Sequence, residues 1–269
     1  MLAPALLDII QKKGVPRDRI TLLIGSGLHR EMTREELGKM FGPDIVRNYR
    51  IVTHDARDAD GVTFLKRYPG QSRGGIYLNK HYMESSVKIV TGFVEPHMFA
   101  GYSGGGKGIL PGIAAAHNIM HNHSATNMIR DGATYGVANG NPLFDEMRSV
   151  AIASDVTVLC NVTANSDRTI TGIYCGELTA AHDAAIAQVN QQALRPVPKE
   201  YDIVVCTNGG YPADLNLYQA VKGMVAAERA VRQGGTIILA AECREGVGSR
   251  EYIELFQLAN TPENLLSLI

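Results

Sequence analysis

Tryptophan is absent from this 269-residue chain, and aromatic residues make up only 6% of it. A surface built to stack bases would advertise more of them. An excess of one charge is missing as well: 26 Lys and Arg face 27 Asp and Glu, for a net charge of −1. That balance gives no electrostatic case for nucleic acid or for an anionic membrane. No apolar run approaches the roughly 18 residues that a membrane span needs. The N-terminus "MLAPALLDIIQKKG" has no basic leader, and Asp8 interrupts its apolar run. It reads as a short amphipathic helix and not as a signal peptide. Cysteine is scarce: Cys160, Cys175, Cys206 and Cys243 are widely and irregularly spaced, with no CxxC pair. This argues against a zinc site or a disulfide framework. Cys160 and Cys206 lie inside apolar runs and read as buried thiols, which suits a reducing cytoplasm.

What is present is an alternation of helical and strand patterns. Residues 3–13 form a helix pattern stopped by Gly14, and "ITLLIG" (20–25) is a short strand. Thr33 with Glu36 spells a capping box for a helix ending near Gly42. Strands are expected over 49–55, 86–93 and 154–162, and a long helix over 178–194. "RPVPKEYD" (195–202), with two prolines and mixed charge, marks a linker. A strand "DIVVCT", a Gly-rich turn, a helix "LYQAVKGMVAAERAVRQ" ended by Gly234 and Gly235, and a strand "TIILAAE" follow. The final "TPENLLSLI" could open another helix. The β-α-β-α order predicts an α/β fold with largely parallel sheets. Two α/β domains are expected, 1–195 and a thinner, incomplete 196–269, with the active site in the cleft between them.

In such folds ligands gather at the carboxyl ends of the strands. Four loops there have unusual content: "GSGLHRE", "THDARD", "VEPHMFAGYSGGGKG" and "TNGGYPADLNLYQAVKG". In the third, Gly101 to Lys107 fits the start of a Walker A pattern, but Gly108 stands where Ser or Thr should hold Mg²⁺. Gly104, Gly105 and Gly106 allow close backbone approach to a ligand, and their N–H groups could form an anion nest. A plain flexible turn fits the same run. His54, His81 and His182 read as structural histidines. His117 and His121 have the i,i+4 spacing of a metal pair, but without the HExxH glutamate. Tyr218, Gln219 and Lys222 share one side of a predicted helix beside glycine turns, which suits an anion or a merely solvated face.

Taken together and in order, "GSGLHREMT", "EPHMFAGYSGGGKGILPG", the histidine sixteen residues after Lys107, and "GGYPADLNLYQAVKGM" resemble the nickel-dependent lactate racemase family. The resemblance implies a 2-hydroxy acid racemase or epimerase, an isomerase carrying a nickel-pincer nucleotide (a pyridinium mononucleotide with two thio-acid arms). Lys107 would bear the cofactor through a thioamide, with Ser103, Gly104, Gly105 and Gly106 around it. His123 would ligate the nickel. His29 and His97 would be the acid/base pair, and Tyr218, Gln219 and Lys222 would contact substrate or cofactor. Partners implied are a small 2-hydroxy acid and the cofactor-synthesis enzymes, with no nucleic acid and no membrane. The family's upstream DxTR-like segment, whose Arg grips the substrate carboxylate, has no match here. The expectation is therefore a truncated or shortened member. Two other readings stay open: a phosphate- or nucleotide-binding module, and an inactive relative.

Overall fold

The computed structural model of the chain describes residues 2–66, 74–248, 250–259 and 261–268. In chain order the N-terminal part runs α1 (Leu2–Lys12), β1 (Thr21–Ile24), α2 (Arg34–Phe41), α3 (Pro43–Asn48), β2 (Arg50–Thr53), β3 (Val62–Phe64), β4 (Tyr77–Asn79) and α4 (Lys80–Glu84). It continues with β5 (Ile89–Phe93), β6 (Pro96–His97), β7 (Gly101–Tyr102), α5 (Ala116–Asn122), α6 (Ala125–Met128), α7 (Pro142–Ala153), β8 (Val158–Ala164), β9 (Ile170–Gly176) and α8 (Leu178–Ala193). After the linker come β10 (Tyr201–Thr207), α9 (Leu217–Glu228), β11 (Val231–Ala240), α10 (Arg250–Leu258) and α11 (Pro262–Leu268). The α/β expectation holds.

The strands form small sheets. β1 pairs with β2, β5 with β8, and β10 with β11, all in parallel. The antiparallel pairs are β3 with β4, β6 with β7, and β8 with β9. "Largely parallel" thus describes the three pairs that lead to the glycine-rich and histidine-bearing loops and not the whole set. The main core buries Leu78, Leu110, Leu143, Val150 and Leu159 completely, between β4, β8, α7 and the turn that follows Lys107. A second cluster, with Val94, Tyr102, Phe144 and Ala185, fills the space under α8. Both lie directly behind the glycine loop, so the loop rests on packed side chains.

Two local expectations need correction. The helix starting at Leu217 ends at Glu228, not after Gln233, because residues 231–233 already belong to β11. Gly234 and Gly235 therefore lie inside a strand beside a register shift opposite Tyr201 and Ile203. Helix propensity in "AERAVRQ" lost to the parallel ladder with β10. Cys160 and Cys175 are not free thiols. They sit opposite each other on β8 and β9 and are joined as a disulfide, with Cα atoms 4.2 Å apart. Sequence spacing could not show this, because β9 was not anticipated; its glycines, Gly172 and Gly176, break the strand pattern.

Candidate active site

Three loops meet at the carboxyl ends of β1 and β5. The first follows β1 and carries His29. Gly27 N–H donates to the Gly112 carbonyl at 3.0 Å, stitching this loop to the end of the glycine loop. A Cβ on Gly25 would lie 3.3 Å from the same carbonyl, so the two backbones touch. Beyond His29, Thr33 and Glu36 close the anticipated capping box of α2. Arg30 grips the Glu36 carboxylate with two hydrogen bonds, 2.8 and 2.6 Å, and holds its pKa down to about 2. His29 itself is exposed.

The second loop runs from Val94 to Gly112. Ser103 is spent on structure: its hydroxyl donates to Phe93 O at 2.8 Å and accepts from Glu95 N–H at 2.9 Å. The glycines prove necessary for packing. Gly105 has φ +50°, and a Cβ there would come within 2.0 Å of the His182 ring. A Cβ on Gly106 would meet the Met147 carbonyl at 2.5 Å. The Gly105 N–H donates to Asn161 Oδ1 at 2.8 Å, and the Lys107 N–H to Gly104 O at 3.0 Å. These amides are already used, which weakens the nest reading. Nor does a long helix follow Lys107. Gly105–Gly108 make one 3₁₀ turn, and α5 starts only at Ala116.

His182, read from sequence as structural, is the strut beneath this loop. Its Nε2 donates to Ser103 O at 3.0 Å, and its ring stacks on Phe144 with centroids 5.5 Å apart. Burial pushes its pKa down to about 4, so it is neutral. His54 is likewise structural, buried between Ala114 O (2.9 Å) and Asn79 (3.2 Å). His117 packs edge-on against Tyr77, and His121 is exposed. Among the described residues no cluster of three or more His, Cys, Asp or Glu side chains could hold an ion.

His97, Lys107, His123 and Lys222 sense one another. Burial first, then Lys107, His123 and Lys222, push His97 down to about 3. Burial and Lys107 push His123 down to about 4. Burial and Lys222 lower Lys107 to about 8, against the pull of Glu95. Glu95 reaches solvent, yet burial of its carboxyl raises its pKa against both lysines. His97 Nδ1 accepts two backbone N–H groups, from Phe99 (3.3 Å) and Ala100 (3.1 Å). The proton of its neutral ring therefore sits on Nε2. His123 Nδ1 is buried and has no hydrogen-bond partner.

The third loop and α9 bring Lys222. Asn216 Oδ1 caps α9 by accepting from Gln219 N–H at 2.9 Å. The Tyr135 hydroxyl donates to the backbone carbonyl of Lys222 at 3.1 Å, tying α9 to the N-terminal part. Tyr218 is half-exposed, and Gln219 is partly buried one turn before Lys222. His29 stands on the first of the three loops. Its loop is linked through Gly112 and through Arg30, which senses Glu245. Sequence reasoning missed Glu95, Tyr135 and Asn161. Glu95 alone had a signal, since it lies two residues before His97 in the same loop.

Residues 1–136 match the lactate racemase N-terminal domain, and residues 197–269 match the lactate racemase C-terminal domain. The chain belongs to the lactate racemase family. The lactate racemase of Thermoanaerobacterium thermosaccharolyticum is 37% identical over 266 residues, a match spanning 99% of this chain and 62% of the relative. That of Lactiplantibacillus plantarum is 38% identical over 267 residues, with the same two coverages. The chain thus spans about 62% of the length of these curated relatives. The structure of the Thermoanaerobacterium thermosaccharolyticum lactate racemase apoprotein superposes with a TM-score of 0.94 at 36% identity, over 100% of this chain and 63% of that one. A Thermotoga maritima protein shares the fold at TM-score 0.63 and 19% identity, over 92% of this chain and 68% of its own. No helix among the described residues is long and apolar enough to cross a membrane.

Proposed function

We propose that the chain racemises or epimerises a 2-hydroxy acid of the lactate type, with a nickel-pincer nucleotide carried on Lys107 and its nickel held by His123. In this reading residues 1–195 and 196–269 are two α/β domains with the site between them. One observation carries it: Lys107, His97, His123 and Lys222 converge electrostatically, with both imidazoles neutral and the Lys107 amine lowered to about 8. The residues suit the implied group. A thioamide forms from a neutral amine, and Lys107 is far closer to neutrality than an ordinary lysine. A metal ligand must be an unprotonated imidazole nitrogen, and His123 is neutral with an unpartnered buried Nδ1. A single protein ligand suits a metal held mainly by an organic cofactor, and the chain offers no cage of its own among the described residues.

When bound, the cofactor supplies a hydride acceptor and donor for the substrate C2 carbon. The chain's residues handle the proton and the carboxylate. His29, exposed at the mouth of its loop, takes the hydroxyl proton from one side. His97 presents Nε2–H to the substrate oxygen as a hydrogen-bond donor that keeps its proton, since an imidazolium would turn a third N–H toward the Phe99 and Ala100 amides, and the proton that His29 took goes back to that oxygen as hydride returns to C2. For the opposite enantiomer His97 must give up that arrangement and accept at Nε2. Lys222, exposed beside these groups, offers a cation to the carboxylate, with Gln219 and Tyr218 alongside. Lactate is the substrate in the names of the relatives.

The test is mass spectrometry of protein co-expressed with cofactor-synthesis enzymes. The peptide containing Lys107 is expected to carry the cofactor mass and the protein about one nickel, both lost in Lys107→Ala. An unmodified peptide under those conditions rejects the reading. Interconversion of L- and D-lactate by the loaded chain then tests turnover.

A further inference from the structure

Asn161 is an unexpected residue for the middle of a sheet. It stands on β8, the central strand of β5-β8-β9, opposite Gly92 of β5 and Tyr174 of β9. Its side chain is 0% exposed and lies between those of Leu159 and Thr163 on one face of the strand. Half of its amide is satisfied. Oδ1 accepts the Gly105 N–H at 2.8 Å, whereas Nδ2 is buried and has no hydrogen-bond partner. A buried donor left unpaired is costly, so the residue is a poor choice for stability alone. The amide cannot turn over to remedy this, because its NH₂ would then face the Gly105 N–H.

The surroundings leave room for it. A Cβ on Gly92 would lie 3.0 Å from Nδ2, and one on Gly104 would lie 2.8 Å from Oδ1. With no side chain at either position, the amide rises between β5 and the glycine loop. Its root is fixed, since β8 is paired on both sides and the preceding residue, Cys160, is bonded to Cys175. The Gly105 N–H opens the single turn Gly105–Gly108. Within it Lys107 N–H donates to Gly104 O at 3.0 Å, and beyond it Gly112 N–H donates to Lys107 O at 3.1 Å. Holding the first amide of so short a turn fixes its rotation, and with it the direction in which the Lys107 side chain leaves. We infer that Asn161 is a positioning residue: it sets the rotation of the glycine turn and so aims the Lys107 amine into the space it shares with His97, His123 and Lys222. His182 and Met147 press on the turn from behind and limit how closely it packs, while Asn161 supplies a directional bond. Its part in catalysis rests on the proposed role of Lys107 as cofactor anchor; the placement of the amine does not.

Competitive acylation of the full chain without cofactor, read by mass spectrometry on the Lys107 peptide across pH, tests this. The native midpoint is expected near pH 8, because burial of the amine outweighs the pull of Glu95. Asn161→Ala leaves the Gly105 N–H without its acceptor. The turn then loosens, the amine reaches water, and the midpoint should rise by about one pH unit or more toward the ordinary lysine value. Exchange of the Gly105 amide should quicken at least tenfold. Thr163→Ala is the control: Thr163 is as deeply buried, two residues along the same strand, and its hydroxyl bonds that of Thr171 at 2.9 Å. That variant should also lose stability in urea, yet keep the midpoint near 8. Asn161→Asp retains an oxygen for the Gly105 N–H and should keep that amide slow to exchange. If Asn161→Ala does not fold, Asn161→Ser takes its place, with the same shift expected from its shorter side chain. A midpoint unchanged in the deletion variant overturns the inference. So does an equal shift in Thr163→Ala, or a native midpoint already at the surface value. A chain that takes up no cofactor rejects the proposed function and leaves these readouts as they are.

Discussion

At Lys107, burial lowers the amine more than its neighbours do, with Lys222 adding repulsion and Glu95 pulling the other way. The amine is half neutral near pH 8, and its reactivity rises as pH passes through that value. Competitive acylation should give Lys107 a midpoint near pH 8 while surface lysines titrate near about 10.4. Glu95→Gln should lower it further. A Lys107 midpoint near those of the surface lysines would refute the buried, cation-flanked environment. The glycine loop was legible as a place that needs glycine, but the reason was not. Sequence suggests approach by a ligand, whereas the first demand comes from behind, from His182 and Met147. Gly105→Ala should cost at least about 2 kcal/mol in urea unfolding, through overpacking and a left-handed φ. A cost under half that would mean the His182 ring moves aside freely. Neither contact shows in the sequence, since His182 lies seventy-seven residues after Gly105 and reaches it only through the fold.

Among the elements, the most legible were those whose signals are local. The α2 capping box and the span of α8 were plain from the sequence, while β9 and the early end of α9 were set by pairing with distant strands. The docking of α9 was also invisible, because a hydroxyl that helps to hold it, Tyr135, reaches a main-chain carbonyl 87 residues away. Tyr135→Phe removes that bond and should cost about 1 kcal/mol of docking, a roughly fivefold shift in its equilibrium. Residues 194–200, between α8 and β10, are all exposed, so tryptic cleavage at Arg195 and Lys199 reports on docking. Faster cleavage in Tyr135→Phe, with little change in global unfolding, is the expected outcome. Equal rates would show that other contacts hold α9.

For the molecule as a whole, buried neutral histidines make stability depend on pH. His97 is lowered to about 3, and His123 and His182 to about 4, all below the ordinary 6.5. Between about pH 4 and 6.5 the unfolded chain binds more protons than the folded one. Stability is therefore full above pH 6.5 and falls as the medium is acidified through that window. Each such histidine contributes up to about 1.4 kcal/mol per pH unit. Urea midpoints from pH 6.5 to 4.5 should fall steeply, and His182→Gln should flatten the slope by about one proton. An unchanged slope in that variant would place the titration elsewhere. The Tyr135 bond has one more consequence. It ends on the carbonyl of Lys222 and not on its ammonium, so the anchor and the chemistry occupy separate atoms of one residue. The side chain at 222 is therefore free to be exchanged, by an experimenter or by descent, for one suited to a different acid, while α9 stays moored where it is.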